Sequence, residues 1–160
     1  MLSDPKFARA SIRGALLAIN LLFLMIWGFA GIGKLFSGIP SYFPEKFGPT
    51  FLAQFPSLTA TFWILALSEV LAFSLAALSL ISGEFLARRA PRLLQWMLVW
   101  SLFIFVQLGF GQWLTADFVS AAQIFTYFAG TLVALHYVDS KSFLPAPSSQ
   151  PIVLGRRSHF

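Results

Sequence analysis

From Thr59 to Gly83 the chain reads TATFWILALSEVLAFSLAALSLISG, a run of membrane-crossing length that carries one charge, Glu69, near its middle. A hydrocarbon core about 30 Å thick takes roughly 20 helical residues at 1.5 Å each. An ionisable group at its centre costs roughly 3 kcal/mol, so such residues face a protein interior and have a partner. The run therefore predicts a spanning helix, and a bundle in which Glu69 meets something.

Three more runs have the same length. Spans are expected at about 14–35, 57–82, 93–114 and 118–138, the last two joined by a tight turn at Thr115–Asp117. Mean hydropathy is +0.77, with 58% hydrophobic and 11% charged residues, far from the balance of a soluble domain. The fold class is all-α integral membrane, a four-helix antiparallel bundle. Lys6, Arg9 and Arg13 precede an apolar run too long for a leader and lacking an A-x-A exit, so it is read as an uncleaved first helix.

Between the first two spans, residues 37–56 hold four prolines and a recurrent aromatic, which excludes a spanning helix and suits an interfacial loop with a helical turn near Thr50–Gln54. Residues 139–160, rich in Pro and Ser, are expected to be a flexible tail. Lys6, Arg9, Arg13, Arg88, Arg89, Arg92, Lys141, Arg156 and Arg157 fall on one side of this arrangement, Lys34 and Lys46 on the other. By the positive-inside rule both termini lie in the cytoplasm and 37–56 outside, with no nucleic-acid patch despite a net charge of +5. A bacterial inner membrane is the expected location.

Without cysteine, the chain has no dithiol chemistry and no thiolate metal site. A lone membrane histidine, His136, gives no bis-His haem pair, and no metal site is expected. The remaining chemistry lies in polar residues within the spans. Asn20, Trp27 and Lys34 recur every seven residues on one stripe of the first helix. Counting from the cytoplasmic ends puts Glu69 at about 20 Å and Lys34 at about 30 Å, a gap of about 10 Å for two leaning side chains to close. Gln107, Gln123 and Tyr127 fall at comparable depth. If these faces converge, Glu69 and Lys34 form the reactive pair, and Gln107, Gln123, Tyr127 and Trp27 the walls, of a pocket suited to a quinone head group or a proton path. The other reading makes Glu69 a packing carboxylate that sets the register of two helices.

The stretch GFAGIGKLFSGIPSYF, from Gly28 to Phe43, followed by the Glu69 helix and two further spans, resembles the DoxX family of small four-helix bacterial membrane proteins. Gly28, Gly31 and Lys34, the loop through Tyr42 and Phe43, and Glu69 carry the likeness over roughly Arg13 to Tyr137. Where many members have glycines after the carboxylate, Val70 to Ala77 has none. The resemblance implies a membrane subunit or accessory of a quinone-linked redox complex, with a redox protein partner. A non-catalytic anchor or assembly factor, or a small transporter formed by a homo-oligomer, are the alternatives.

Overall fold

A computed structural model describes residues 5–86 and 90–142. Helix α1 (Pro5–Trp27) runs through a π-helical turn (Gly28–Ile32) into α2 (Gly33–Ser37) as one continuous rod. A short helix α3 (Tyr42–Phe47) and a 3-10 turn (Phe51–Ala53) lead to α4 (Leu58–Ile81). A second 3-10 turn (Glu84–Leu86) precedes α5 (Arg92–Leu114), and α6 (Phe118–Ser142) completes the order. Four helices are long and apolar enough to cross a membrane, and no strand occurs among the described residues. This is the architecture of a multi-pass membrane protein.

Most expected boundaries lie within a residue or two of the helices. The first helix differs, beginning at Pro5 and not near Gly14, and α6 continues past Val138 to Ser142. Within 37–56 the expected turn is present at Phe51–Ala53, and α3 forms despite Pro44. Pro44 sits in the first turn of α3, where its missing N–H leaves no hydrogen bond unmade. Arg88, Arg89, Arg156, Arg157 and the tail beyond 142 lie outside the described residues.

Polar side chains mark the helix ends. Ser57 Oγ accepts the Ala60 N–H at 3.3 Å and starts α4. The Glu84 carboxylate accepts the Leu93 and Leu94 N–H groups, each at 3.0 Å, where the α5 N-terminus attracts negative charge. Asp117 does the same for α6, accepting the Ser120 N–H at 3.1 Å. Gly83 takes a positive φ of 70° as the chain leaves α4.

Helix α4 lies between α1 and α5, while α6 leans almost entirely on α5. The registers are antiparallel. Asn20 meets Ser79 and Gly31 meets Glu69, Ser68 meets Trp100, and Phe105 meets Tyr127. Leu16, Phe23, Trp27, Ala72, Ala76, Met97, Leu98 and Phe105 fill the core. Many large apolar side chains, among them Leu22, Ile64, Phe103, Phe125 and Val133, are instead exposed on the outside of the bundle. An aqueous fold would bury them, whereas a bundle solvated by lipid leaves them outside. The end of the bundle bearing α3 and the α5–α6 turn is called the connector end below, and the opposite one the terminal end.

Candidate functional site

The site begins with a glycine. A Cβ on Gly31 would stand 2.9 Å from the Val70 nitrogen and 3.1 Å from both the carbonyl carbon and Cβ of Glu69, so only glycine lets the two backbones approach this closely. Gly31 belongs to the π-helical turn, whose wider i→i+5 spacing turns the residues that follow relative to those before. Trp27, before the turn, faces α5, where its indole N–H donates to Ser101 Oγ at 2.8 Å. Lys34, after it, faces α4.

There the Lys34 ammonium donates to both oxygens of Glu69, at 2.8 Å to Oε1 and 2.6 Å to Oε2. The expected gap closes for two reasons. With Asn20 against Ser79, the helical paths to Lys34 and Glu69 differ by about four residues, about 6 Å of rise and not 10. Side chains also lean toward their own helix N-terminus, and in antiparallel helices Lys34 and Glu69 therefore lean toward each other. Glu69 is 1% exposed and the Lys34 side chain 25%, so the carboxylate is sealed while the lysine side chain is partly exposed.

What Lys34 reaches is a cavity of about 320 Å³ at the connector end, between α4 and α5 and beneath α3. Phe43, Phe47, Phe62, Leu65 and Leu108 wall it, Thr61, Gln107 and Gln112 supply polar groups, and Ile64 and Phe110, which also line it, are exposed on the surface of the bundle. That volume is at the small end of ligand pockets, about 300–1,000 Å³, and suits one ring-sized head group with its tail outside. An ammonium has three protons, and Lys34 spends two on Glu69, which leaves a donor for a ligand.

Helix α3 roofs the cavity, so the aromatics expected only at an interface also cover a site, and Lys46 has a partner that sequence patterning left unassigned. The Lys46 ammonium donates to Gln112 Oε1 at 2.7 Å and to Asp117 Oδ2 at 2.8 Å. Phe43 packs on Phe47 and edge-on to Phe62, and Phe47 lies against Gly111. The available signal was that Lys46 and Asp117 are opposite charges placed outside the spans on the same face. The Lys46 hydrogen bond, then those from the Ser120 N–H and hydroxyl, lower the Asp117 carboxyl from 3.8 to about 2. A depressed folded value means that the link is fully present above 3.8 and is lost as pH falls toward about 2. The protection of the Gly48 and Thr50 amides, measured relative to their intrinsic exchange rates at each pH, is therefore expected to hold through neutral and mildly acid pH and to fall only below that range. Loss of that protection near neutral pH would contradict the link.

Of the residues expected to line one pocket, the structure gathers Lys34 and Gln107 at the cavity, with Glu69 directly beneath Lys34. It separates the others. Trp27 is a core side chain bonded to Ser101 and tilted against Phe105 at 5.2 Å. Gln123 and Tyr127 lie on exposed surface of α6, Tyr127 55% exposed, on the far side of α5 from the cavity. Helix α6 is apolar nearly all round, so depth along it was readable but the direction each residue faces was not.

Fold and site together define a bundle with four helices long and apolar enough to cross a membrane and a roofed cavity floored by a largely buried ion pair. No known protein family, curated protein or solved structure matches the chain.

Proposed function

We propose that this chain is a DoxX-like subunit or accessory of a quinone-linked redox complex in a bacterial inner membrane, with both termini cytoplasmic, and that its cavity holds the quinone head group. The observation that carries this reading is the Lys34–Glu69 pair, a sealed carboxylate held by a partly exposed lysine at the floor of an aromatic cavity. Quinones are neutral rings with two carbonyl acceptors and an apolar tail, and they need donors, flat walls and a side entrance. The remaining Lys34 proton and the Gln107 amide are the donors, Phe43, Phe47 and Phe62 the walls, and the exposed side at Ile64 and Phe110 the entrance. A quinone held there by Lys34 and Gln107 would serve as the acceptor of two electrons from the redox partner and of two protons. Glu69 holds the Lys34 ammonium in place and exchanges protons through it.

The isosteric change Glu69→Gln keeps the packing and removes the proton carrier. It is expected to lower quinone-dependent turnover of the assembled complex by about 10²- to 10⁴-fold, the usual contribution of general acid–base groups. Turnover and quinone retention both unchanged in this variant would remove the mechanism.

A further inference from the structure

The two sides of the Lys34–Glu69 pair differ. Toward the terminal end, Trp27, Ala72, Ala76, Met97 and Leu98 are fully buried and fill the axis from Glu69 down to the Asn20–Ser79 contact, about 15 Å of helix. Ser101 lies in that stretch with its hydrogen bonds turned inward, accepting the Trp27 indole N–H and donating to the Met97 carbonyl at 2.8 Å. Below it, Asn20 donates to Ser79, and Ser79 to a Glu84 carboxylate that also accepts the first N–H groups of α5. A packed apolar stretch does not hold the chain of waters that a proton path would need. Toward the connector end, Lys34 lines a cavity whose lining also includes the exposed Tyr42 and the half-buried Lys46 and Gln112.

We infer that water and protons reach the Lys34–Glu69 pair from the connector face alone, through the cavity. The access route stands on packing. Its consequence rests on the functional reading above: the two protons taken by a quinone at Lys34 are drawn from the face opposite the chain termini, while its electrons arrive from the partner. No proton crosses the bundle in that step.

The natural chain has no cysteine, so single-cysteine reporters stand alone. Thr61→Cys and Gln107→Cys place a thiol in the cavity, Ser101→Cys places one in the packed stretch, and the exposed positions of Glu45→Cys and Ala10→Cys mark the connector and terminal faces. Each variant, checked for monodisperse elution, is exposed in sealed membrane vesicles of either orientation to a membrane-impermeant sulfonated maleimide. Thr61→Cys and Gln107→Cys are expected to be labelled in the orientation that labels Glu45→Cys and not in the one that labels Ala10→Cys, with Ser101→Cys labelled in neither. Two cavity reporters guard against one that fails to fold. Labelling of the cavity thiols or of Ser101→Cys from the Ala10 face would overturn the inference, as would cavity thiols unreactive from both faces. Connector-face labelling in a protein that binds no quinone would leave the access route standing and remove the functional reading.

Discussion

Lys34→Met is expected to destabilise the bundle by about 3–5 kcal/mol, the loss seen when one member of a buried pair is removed and the other stays. Glu69 is 1% exposed and both its oxygens are bonded to the Lys34 ammonium, so methionine leaves a sealed carboxylate with no donor and no water. The reverse change, Glu69→Met, is expected to cost less, because Lys34 already reaches the cavity and can be hydrated there. The double variant Lys34→Met/Glu69→Met removes both charges and is expected to recover most of the single loss, since apolar replacements of buried pairs are commonly neutral or better. Denaturation in detergent measures all three. A Lys34→Met protein within about 0.5 kcal/mol of the parent, the range of ordinary surface changes, would mean that the pair is not sealed.

Gly31→Ala is the second large effect. The added methyl would meet the Val70 nitrogen at 2.9 Å and the Glu69 carbonyl carbon and Cβ at 3.1 Å, mostly backbone that cannot turn aside. The helices must separate, at about 1–3 kcal/mol for overpacking. Because Glu69 is the residue pushed, the variant should also lose the Lys34 contact and any ligand that depends on it. Two neighbouring glycines calibrate the result. At Gly28 the methyl would meet the Phe73 ring edge at 3.1 Å, a side chain able to yield, and at Gly33 it would meet nothing within 4 Å. Gly33→Ala is therefore expected to be neutral or to gain about 0.5–1 kcal/mol from helix propensity. Thermal unfolding should rank the three as Gly31 worst, Gly28 intermediate and Gly33 harmless. Equal effects at all three would show that close approach is not what Gly31 provides.

The spans were legible because backbone in lipid must bond internally, which makes apolar length a nearly sufficient signal for a helix. Glu69 was legible for the same reason, as the one charge in the Thr59–Gly83 run, and Lys34 as the charge on the polar stripe of the first helix. Their separation along the bundle is smaller than a depth measured from Gly14 implies, because α1 begins at Pro5 and its register is set by Asn20 against Ser79. The π-helical turn left no hydropathic trace, since it inserts a residue without changing composition. Orientation about the helix axis was equally hidden. Where a helix is apolar on most sides its sequence does not say which side faces in, so for Gln123 and Tyr127 the sequence gives a depth and leaves convergence on one pocket open. The Lys46 link joins residues 66 and 71 positions apart and depends on how α3 folds back, which local pattern does not encode.

The most direct test of a quinone site built on Lys34 and Glu69 is the quinone content of the full-length protein extracted from native membranes in mild detergent. Lipophilic extracts are quantified by mass spectrometry for the parent and for Gly31→Ala. The predicted result is stoichiometric quinone in the parent and its loss in the variant, where the pair is pushed apart. A parent protein that leaves the membrane folded and free of quinone, in membranes rich in it, would contradict the site.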